Sequence, residues 1–183
     1  NQSGKSNYGN YVIIEHPTED GPFYSLSAHF HHLTVKRGDQ VIAGDVIGIM
    51  GHTGSGIDRE RSHTHVELNL LLNPKVAIWS QATSAPVQAA APTTGGKPAA
   101  KPAATPTPLL NGQNLVGINV AGWLRTHHEK PETRLADFIR KEPAYFKLRV
   151  PNKGRELEIT KRYPWLRAPG PAGLAWEIAV AAS

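Results

Sequence analysis

The sequence predicts a mainly β fold, in which an antiparallel β-sheet or partial β-barrel is followed by a linker and a small α+β module. Three observations support this prediction. The first 80 residues consist of short apolar or β-branched runs separated by turn residues, without a strong helical period. Ala, Pro, Thr and Gly dominate residues 81–108. A helical stripe of apolar residues follows that segment, at Leu135, Phe138 and Ile139.

The first two predicted strands form a hairpin. Tyr11–His16 (YVIIEH) is rich in β-branched residues, and Phe23–Phe30 (FYSLSAHF) alternates between apolar and polar side chains. Between them, Thr18–Gly21 (TEDG) has the composition of a turn. We therefore expect the two strands to pair in antiparallel orientation.

Two further turns and another strand are expected after the hairpin. A Gly-Asp pair occurs twice between Val35 and Gly54, at positions 38–39 and 44–45, and each pair predicts a turn. Short apolar strands are expected between and after these turns. His63–Leu72 (HTHVELNLLL) predicts the next strand, which Asn73-Pro74 would end.

The Ala/Pro/Thr-rich segment divides the chain into three parts. Residues 81–108 have almost no large apolar side chains to bury, so they cannot offset the entropy cost of ordering. They predict a semi-extended linker. We expect one domain over residues 1–80 and a small α+β module of unknown function over residues 109–183.

Secondary structure in the second module is less regular. Glu132–Glu142 predicts a helix. The runs FKLRV and RELEIT lie on either side of Pro151–Gly154 and predict a hairpin, and Leu174–Val180 predicts a last strand. The helix and hairpin faintly resemble the second half of a bacterial PDZ domain, although a carboxylate-binding loop motif is missing. A wall- or partner-docking module on a flexible tether is our interpretation of this region.

Composition excludes several kinds of chemistry. The chain has no cysteine, so disulfides, thiolate metal sites and thiol nucleophiles are excluded. It has no apolar run of eighteen residues, so no transmembrane segment is predicted. Residues 1–80 carry a net charge of −2 and the remainder +7. The basic half is typical of a protein near an anionic polymer or surface, or simply of solubilising charge. Its cations are scattered, so no nucleic-acid partner is predicted.

Seven of the nine histidines fall within the first 65 residues. Alternate residues of a strand share a face, so His63, His65 and Glu67 are expected on one side, with Cβ atoms of neighbouring members roughly 7 Å apart. Two imidazoles placed this way can converge on one metal ion or water, or can both be solvated. Zinc accepts imidazole and carboxylate ligands where cysteine is missing. Spacing alone leaves both interpretations open.

Four runs occur in a fixed order: YGNYVIIEH, SLSAHF, VKRGDQVIAGDVIGIMGHTG and SHTHVEL. This succession resembles the lysostaphin-type (LytM-like) zinc metallopeptidases, which cut peptides of bacterial peptidoglycan, and the resemblance covers residues 7–75. It implies a zinc-activated water, Zn²⁺ as cofactor and peptidoglycan peptides as partners. It also implies a location in the bacterial cell envelope, periplasmic or extracellular. It predicts no oligomeric state.

The resemblance implies unequal roles for three histidines. His65 matches the second histidine of the family's H-x-H motif, a zinc ligand, and His63 matches the first, a catalytic histidine beside the metal-bound water. His29, in SAHF, matches the other catalytic histidine. Thr53 and Gly54 match the GxTG turn at the groove. Glu67 is either a partner that holds an imidazole or an ordinary surface residue of the strand.

Part of the family pattern is missing. Two further zinc ligands of the family come from an H-x-x-x-D motif upstream of YGNYV, and the printed sequence, which begins at Asn1, has no such motif there. We expect the chain to be the C-terminal portion of an intact enzyme, truncated at the N-terminus, rather than a degenerate member. Alone it should be inactive and bind zinc weakly at best, unless Asp58 or Glu60 substitutes. These lie in an eight-residue loop (SGIDRERS) that is longer than usual for the family.

Four functions therefore remain open, and a zinc metalloendopeptidase is the first hypothesis. The alternative is a non-catalytic LytM-like regulator or cell-wall-binding module, which loss of the upstream ligands would favour. A sugar-phosphotransferase carrier of similar fold, with a phosphorylated histidine, would lack the YGNYV and GxTG pattern. A plain structural β domain leaves the three spaced histidines unexplained.

Overall fold

The computed structural model describes residues 7–73, 114–152, 156–168 and 173–181. These parts of the chain contain seven strands, three α-helices and one 3-10 helix. In chain order they are β1 Asn10–His16, β2 Phe23–Leu33, β3 Gly48–Met50, β4 His65–Leu71, β5 Leu115–Gly117, α1 Val120–Glu129, α2 Leu135–Lys141, β6 Ala144–Pro151, α3 Glu158–Arg162, the 3-10 helix Pro164–Leu166, and β7 Ala175–Ala181.

The main sheet is antiparallel and open. Its strand order is β1-β2-β4-β5, and β3 pairs with the C-terminal part of β2. The register places Leu26 of β2 beside Ile13 of β1 and Glu67 of β4. The described strands do not close into a barrel, which is consistent with the incomplete, mainly β core that the sequence predicts.

The first hairpin forms as predicted. The N–H of Gly21 donates to the carbonyl of Thr18 at 3.1 Å and closes the turn between β1 and β2. Gly21 has a φ of +101°, a conformation that favours glycine. The hairpin therefore has a local cause in the turn composition as well as in its β-branched strands.

The two Gly-Asp turns share one geometry. In each, the aspartate N–H donates to a carbonyl three residues earlier, and the aspartate carboxylate accepts the N–H of that earlier residue. Asp39 bonds Lys36 in this way, and Asp45 bonds Ile42. Both predicted turns are confirmed, but the strand expected between them is not formed. Too few residues lie between the two turns to form a strand. The expected strand after the second turn does form, as β3.

Two apolar clusters lie on the main sheet. The first joins buried side chains of β1, β2, β4 and β5: Tyr11, Tyr24, Leu26, Ala28, Leu71 and Leu115. The second joins Leu68 of β4 to Trp123 of α1 and to Leu135 and Phe138 of α2. Since Leu68 points away from its neighbour Glu67, the two helices cover the face opposite to the one that carries Glu67.

The second region differs from the prediction at one element. Helix α2 and strands β6 and β7 are confirmed, but the hairpin between FKLRV and RELEIT is wrong. Residues 158–162 form α3, and β6 pairs instead with β7, where Leu148 lies opposite Ile178. Strand β7 supplies apolar partners along β6, which the charged run RELEIT does not. The faint likeness to a PDZ domain rested on that hairpin. Helix α1 was not predicted.

The second region contacts the first at several places. Strand β5 extends the main sheet, and the Asn114 side chain both accepts the N–H of Asn73 (3.0 Å) and donates to its carbonyl (2.6 Å). The predicted linker over residues 81–108 lies outside the described residues, as do the boundaries at 80 and 109. The division into domains stays a prediction. Among the described residues, the main sheet nevertheless includes β5 from beyond the predicted linker.

Candidate functional site

His29 lies in a β-bulge of β2. The β1–β2 register shifts between the pairs Asn10–Phe30 and Val12–Ser27, so one extra residue of β2 bulges out. His29 has a φ of +67°, and it is the one residue other than glycine with a positive φ in the described parts of the chain. The bulge turns its side chain out of the normal alternation, and only 5% of the residue is exposed.

Two imidazoles are fixed by backbone carbonyls. Nδ1 of His29 lies 2.8 Å from the carbonyl oxygen of Thr53, and Nδ1 of His63 lies 2.7 Å from that of Arg61. A carbonyl oxygen can only accept, so Nδ1 carries the proton in both rings. In the neutral state Nε2 of each ring therefore keeps its lone pair. The two ring centroids are 4.8 Å apart.

His65 has the opposite arrangement. It is the first residue of β4, and its Nε2 lies 2.8 Å from Oε1 of Glu67. Since an ionised carboxylate only accepts, Nε2–H donates and Nδ1 keeps the lone pair. The His65 ring lies edge-on to the His29 ring, with centroids 5.8 Å apart. The three histidines singled out in the sequence thus lie together, at the N-terminal end of β4 and beside the bulge of β2.

Glu67 holds more than one partner. The hydroxyl of Tyr8 donates to Oε1 at 2.8 Å, and Nδ2 of Asn69 donates to Oε2 at 3.1 Å. Burial and the hydrogen bond to Glu67 raise the pKa of Tyr8 to about 12, so the phenol stays a donor at neutral pH. Glu67 therefore contacts an imidazole, one of the two possibilities that the sequence left open.

The turn at Thr53 and Gly54 ties β1 to β2. The Thr53 hydroxyl donates to the carbonyl of Phe30 (2.8 Å) and accepts the N–H of Asn10 (2.9 Å). Gly54 has a φ of +118°, and a Cβ there would lie 2.6 Å from the carbonyl oxygen of Asn7 and 3.1 Å from Nδ1 of His29. The turn therefore supports His29 directly. Its part in a substrate groove stays a prediction.

Comparison with known proteins bears on this arrangement. Residues 1–76 match the model of Peptidase family M23. The chain is similar to this family over that segment. The match confirms the resemblance that four motifs indicated over residues 7–75. No curated protein and no solved structure matches the chain.

The described residues of the matched segment do not supply a complete set of metal ligands. Among the described residues, no group of three or more His, Asp or Glu side chains could hold a metal ion. The free Nδ1 of His65 suits one ligand position of zinc. Asp58 is exposed and its carboxylate accepts the N–H of Arg61 (2.9 Å), and Glu60 is exposed as well, so neither completes the site. The residues present fit part of a zinc site and not the whole of one.

Other histidines of the chain have different surroundings. His16 bonds the hydroxyl of Ser25 through Nε2 (2.8 Å) and stacks on Phe23, and burial lowers its pKa. His31 and His32 are exposed on β2. His127 of α1 stacks on the ring of Trp123 rather than being wholly solvated. These contacts explain His16 and His127 by packing.

The sequence patterns did not single out two residues that bond Glu67, Tyr8 and Asn69. Signals for both were present. Tyr8 begins the run YGNYV, and Asn69 continues the alternation of His63, His65 and Glu67 along one strand face.

Within the described parts of the chain, no helix is both long and apolar enough to cross a membrane.

Proposed function

We propose that the protein is a zinc-dependent endopeptidase of the M23 family that cleaves peptide bonds in bacterial peptidoglycan, in the periplasm or outside the cell. His29 and His63 would be the catalytic residues and His65 a zinc ligand. The observation that carries the proposal is the meeting of three imidazoles whose ring-nitrogen states are each set by a hydrogen bond. The match of residues 1–76 to a peptidase family supports the reaction class.

The free nitrogens suit proton transfer. Nε2 of His29 and Nε2 of His63 can each accept a proton from a nucleophilic water, and each can donate a hydrogen bond to an oxyanion once protonated. His29 is buried and firmly held, whereas His63 is exposed and can be reached by a large substrate. Zinc, when bound, would lower the pKa of a coordinated water to about 7.

The proposal requires more zinc ligands than His65. No H-x-x-x-D motif precedes YGNYV in the printed sequence, and the described residues offer no three-ligand group. The chain as printed should therefore bind zinc weakly and hydrolyse nothing, and the activity is proposed for a protein that also carries those ligands.

Hydrolysis of purified peptidoglycan tests this function. A protein that includes an upstream H-x-x-x-D motif should release peptides, and a chelator should stop the release. His63→Ala and His29→Ala should each lower the rate by about 100-fold or more, since general acid–base groups contribute about 10²–10⁴. His32→Ala is the matched control, because His32 is exposed on the same strand as His29. Full activity of the His63→Ala variant would overturn the assigned role.

A second candidate is a non-catalytic LytM-like regulator or cell-wall-binding module. The missing three-ligand group among the described residues favours it. The same experiment separates the two: a regulator would bind peptidoglycan without releasing peptides at any zinc concentration.

A further inference from the structure

Tyr8 contacts the site in three ways. Its carbonyl accepts the N–H of His29 at 3.1 Å, so it holds the bulge. Its hydroxyl donates to Oε1 of Glu67 at 2.8 Å. Its ring lies edge-on to the ring of His65, with centroids 5.8 Å apart. One residue thus contacts the backbone of one histidine, the ring of a second and the carboxylate that the second one bonds.

The Glu67 carboxylate is restrained at both oxygens. Oε1 accepts from Tyr8 and from His65, and Oε2 accepts from Asn69. Asn69 is only 2% exposed and is paired with Tyr24 of β2 and with Gly117 of β5. Its backbone is therefore held between two strands, which restricts the position of its side chain. A carboxylate with donors on both oxygens cannot rotate without breaking at least one of these bonds.

We propose that Tyr8 is a positioning residue, which acts with Asn69 through Glu67 on the orientation of His65. In this orientation Nε2–H of His65 points to the carboxylate, and Nδ1 is free to bind a metal ion. This inference rests on the proposed role of His65. Tyr8 itself touches no reacting atom. Its effect is on the orientation and proton position of the His65 ring, as outer partners of metal-binding histidines commonly act.

The proton position is the quantity that the proposal predicts. With Glu67 held in place, the neutral His65 ring carries its proton on Nε2 alone. Without the Tyr8 hydroxyl, Oε1 loses one of its two donors and the carboxylate gains freedom to turn. The ring then also adopts the form protonated on Nδ1. In that form Nδ1 has no lone pair with which to bind a metal ion.

The test is long-range proton–nitrogen NMR of the chain as printed, without metal, at mildly alkaline pH. A His65→Gln spectrum identifies the His65 signals. The wild type should show Nε2–H alone. Tyr8→Phe should move the two ring-nitrogen shifts of His65 towards each other, and Glu67→Gln should move them further.

The matched control is Tyr11→Phe. The Tyr11 ring is a neighbour of the Tyr8 ring, with centroids 5.9 Å apart, and the change removes the same group from it while the bond from the Tyr8 hydroxyl to Glu67 is kept. This variant should give the wild-type spectrum. Equal shifts in both phenylalanine variants, no shift in Tyr8→Phe, or a wild-type ring protonated on Nδ1 would each overturn the positioning role.

Failure of this inference and failure of the proposed function are distinguishable, because the measurement needs neither metal nor substrate. A shifted spectrum in Tyr8→Phe together with no hydrolysis by the protein that carries the further ligands would overturn the proposed function alone. Unchanged spectra together with hydrolysis would overturn the positioning role alone.

Discussion

At the scale of single residues, the position of His29 depends on a backbone conformation that side chains rarely adopt. A positive φ costs a residue other than glycine about 1–2 kcal/mol. The N–H of His29 donates to Tyr8 and its Nδ1–H donates to Thr53, so the surrounding segment holds this conformation. The bulge directs a buried imidazole towards His63 and His65, which regular strand alternation would not do.

Gly54 is the residue whose replacement should disturb that arrangement most directly. Gly54→Ala should lower the free energy of unfolding more than Gly56→Ala does, by at least about 1 kcal/mol. Both glycines have a positive φ, but a Cβ at Gly54 would overlap the Asn7 carbonyl and press on His29, whereas Gly56 has open space. Urea denaturation measures the difference, and the NMR signals of His29 should shift in the first variant only. Equal losses in the two variants would contradict the prediction.

The residues of the site were only partly predictable from sequence. The H-x-H spacing and the SAHF run identified His29, His63 and His65, because motif and strand period are local properties. The free nitrogen of each ring could not be predicted, since Thr53, Arg61 and Glu67 determine it through hydrogen bonds in the folded state.

At the scale of elements, strand β4 joins the site to the rest of the molecule. It begins at His65, carries Glu67 and Asn69 on one face, and presents Leu68 to the helices on the other. At its far end, the N–H of Leu71 donates to the hydroxyl of Tyr163, which follows α3. Elements of the second region thus support the strand that holds the proposed ligand.

Tyr163→Phe tests this support. The hydroxyl accepts from Leu71 (3.1 Å) and donates to the carbonyl of Pro22 (2.6 Å), and only 1% of the residue is exposed. Its removal leaves the buried N–H of Leu71 and the part-buried carbonyl of Pro22 without this partner, so the free energy of unfolding should fall by about 1–3 kcal/mol. Urea denaturation is again the measurement. Tyr145→Phe is the control, since Tyr145 is 78% exposed and should change by less than about 0.5 kcal/mol. An unaffected Tyr163→Phe variant would show that these bonds contribute nothing.

Two elements show why local patterns were insufficient. Helix α1 has signals that could have predicted it: Asn119 caps it by accepting the N–H of Gly122 (2.9 Å), and Val120 and Trp123 have helical spacing. RELEIT alternates as a strand would, but residues 158–162 are helical because β6 already pairs with β7. In the first case a local signal was overlooked, and in the second a distant partner overrode it.

At the scale of the whole molecule, strand β5 of the second sequence-defined region joins the main sheet of the first, while β6 and β7 form a separate two-stranded sheet. Three sets of contacts connect the two regions: the β4–β5 ladder, the apolar cluster around Leu68, and the bonds to the first turn. At that turn Arg134 makes an ion pair with both oxygens of Asp20, and Nε1 of Trp165 donates to the Asp20 carbonyl (2.7 Å). The buried contacts contribute more than the exposed ion pair, because solvent screens the latter.

Cutting the chain between residues 81 and 108 should therefore leave the two pieces bound to each other. A protease site inserted there, followed by cleavage and gel filtration, would measure this: the pieces should elute together in native buffer and separately in denaturant. Leu68→Asp places a charge in the apolar cluster and should weaken the association. Separation of the wild-type pieces in native buffer would instead support a tethered, independent module.

Local patterns were sufficient to predict the first hairpin, the Gly-Asp turns and the three histidines, because alternation, turn composition and motif spacing all lie within short stretches of chain. Only the folded state defines the restraint of Glu67 by Tyr8 and Asn69, the helical state of residues 158–162 and the addition of β5 to the main sheet. Each of these depends on contacts between residues far apart in the chain, whose free energy no local pattern contains.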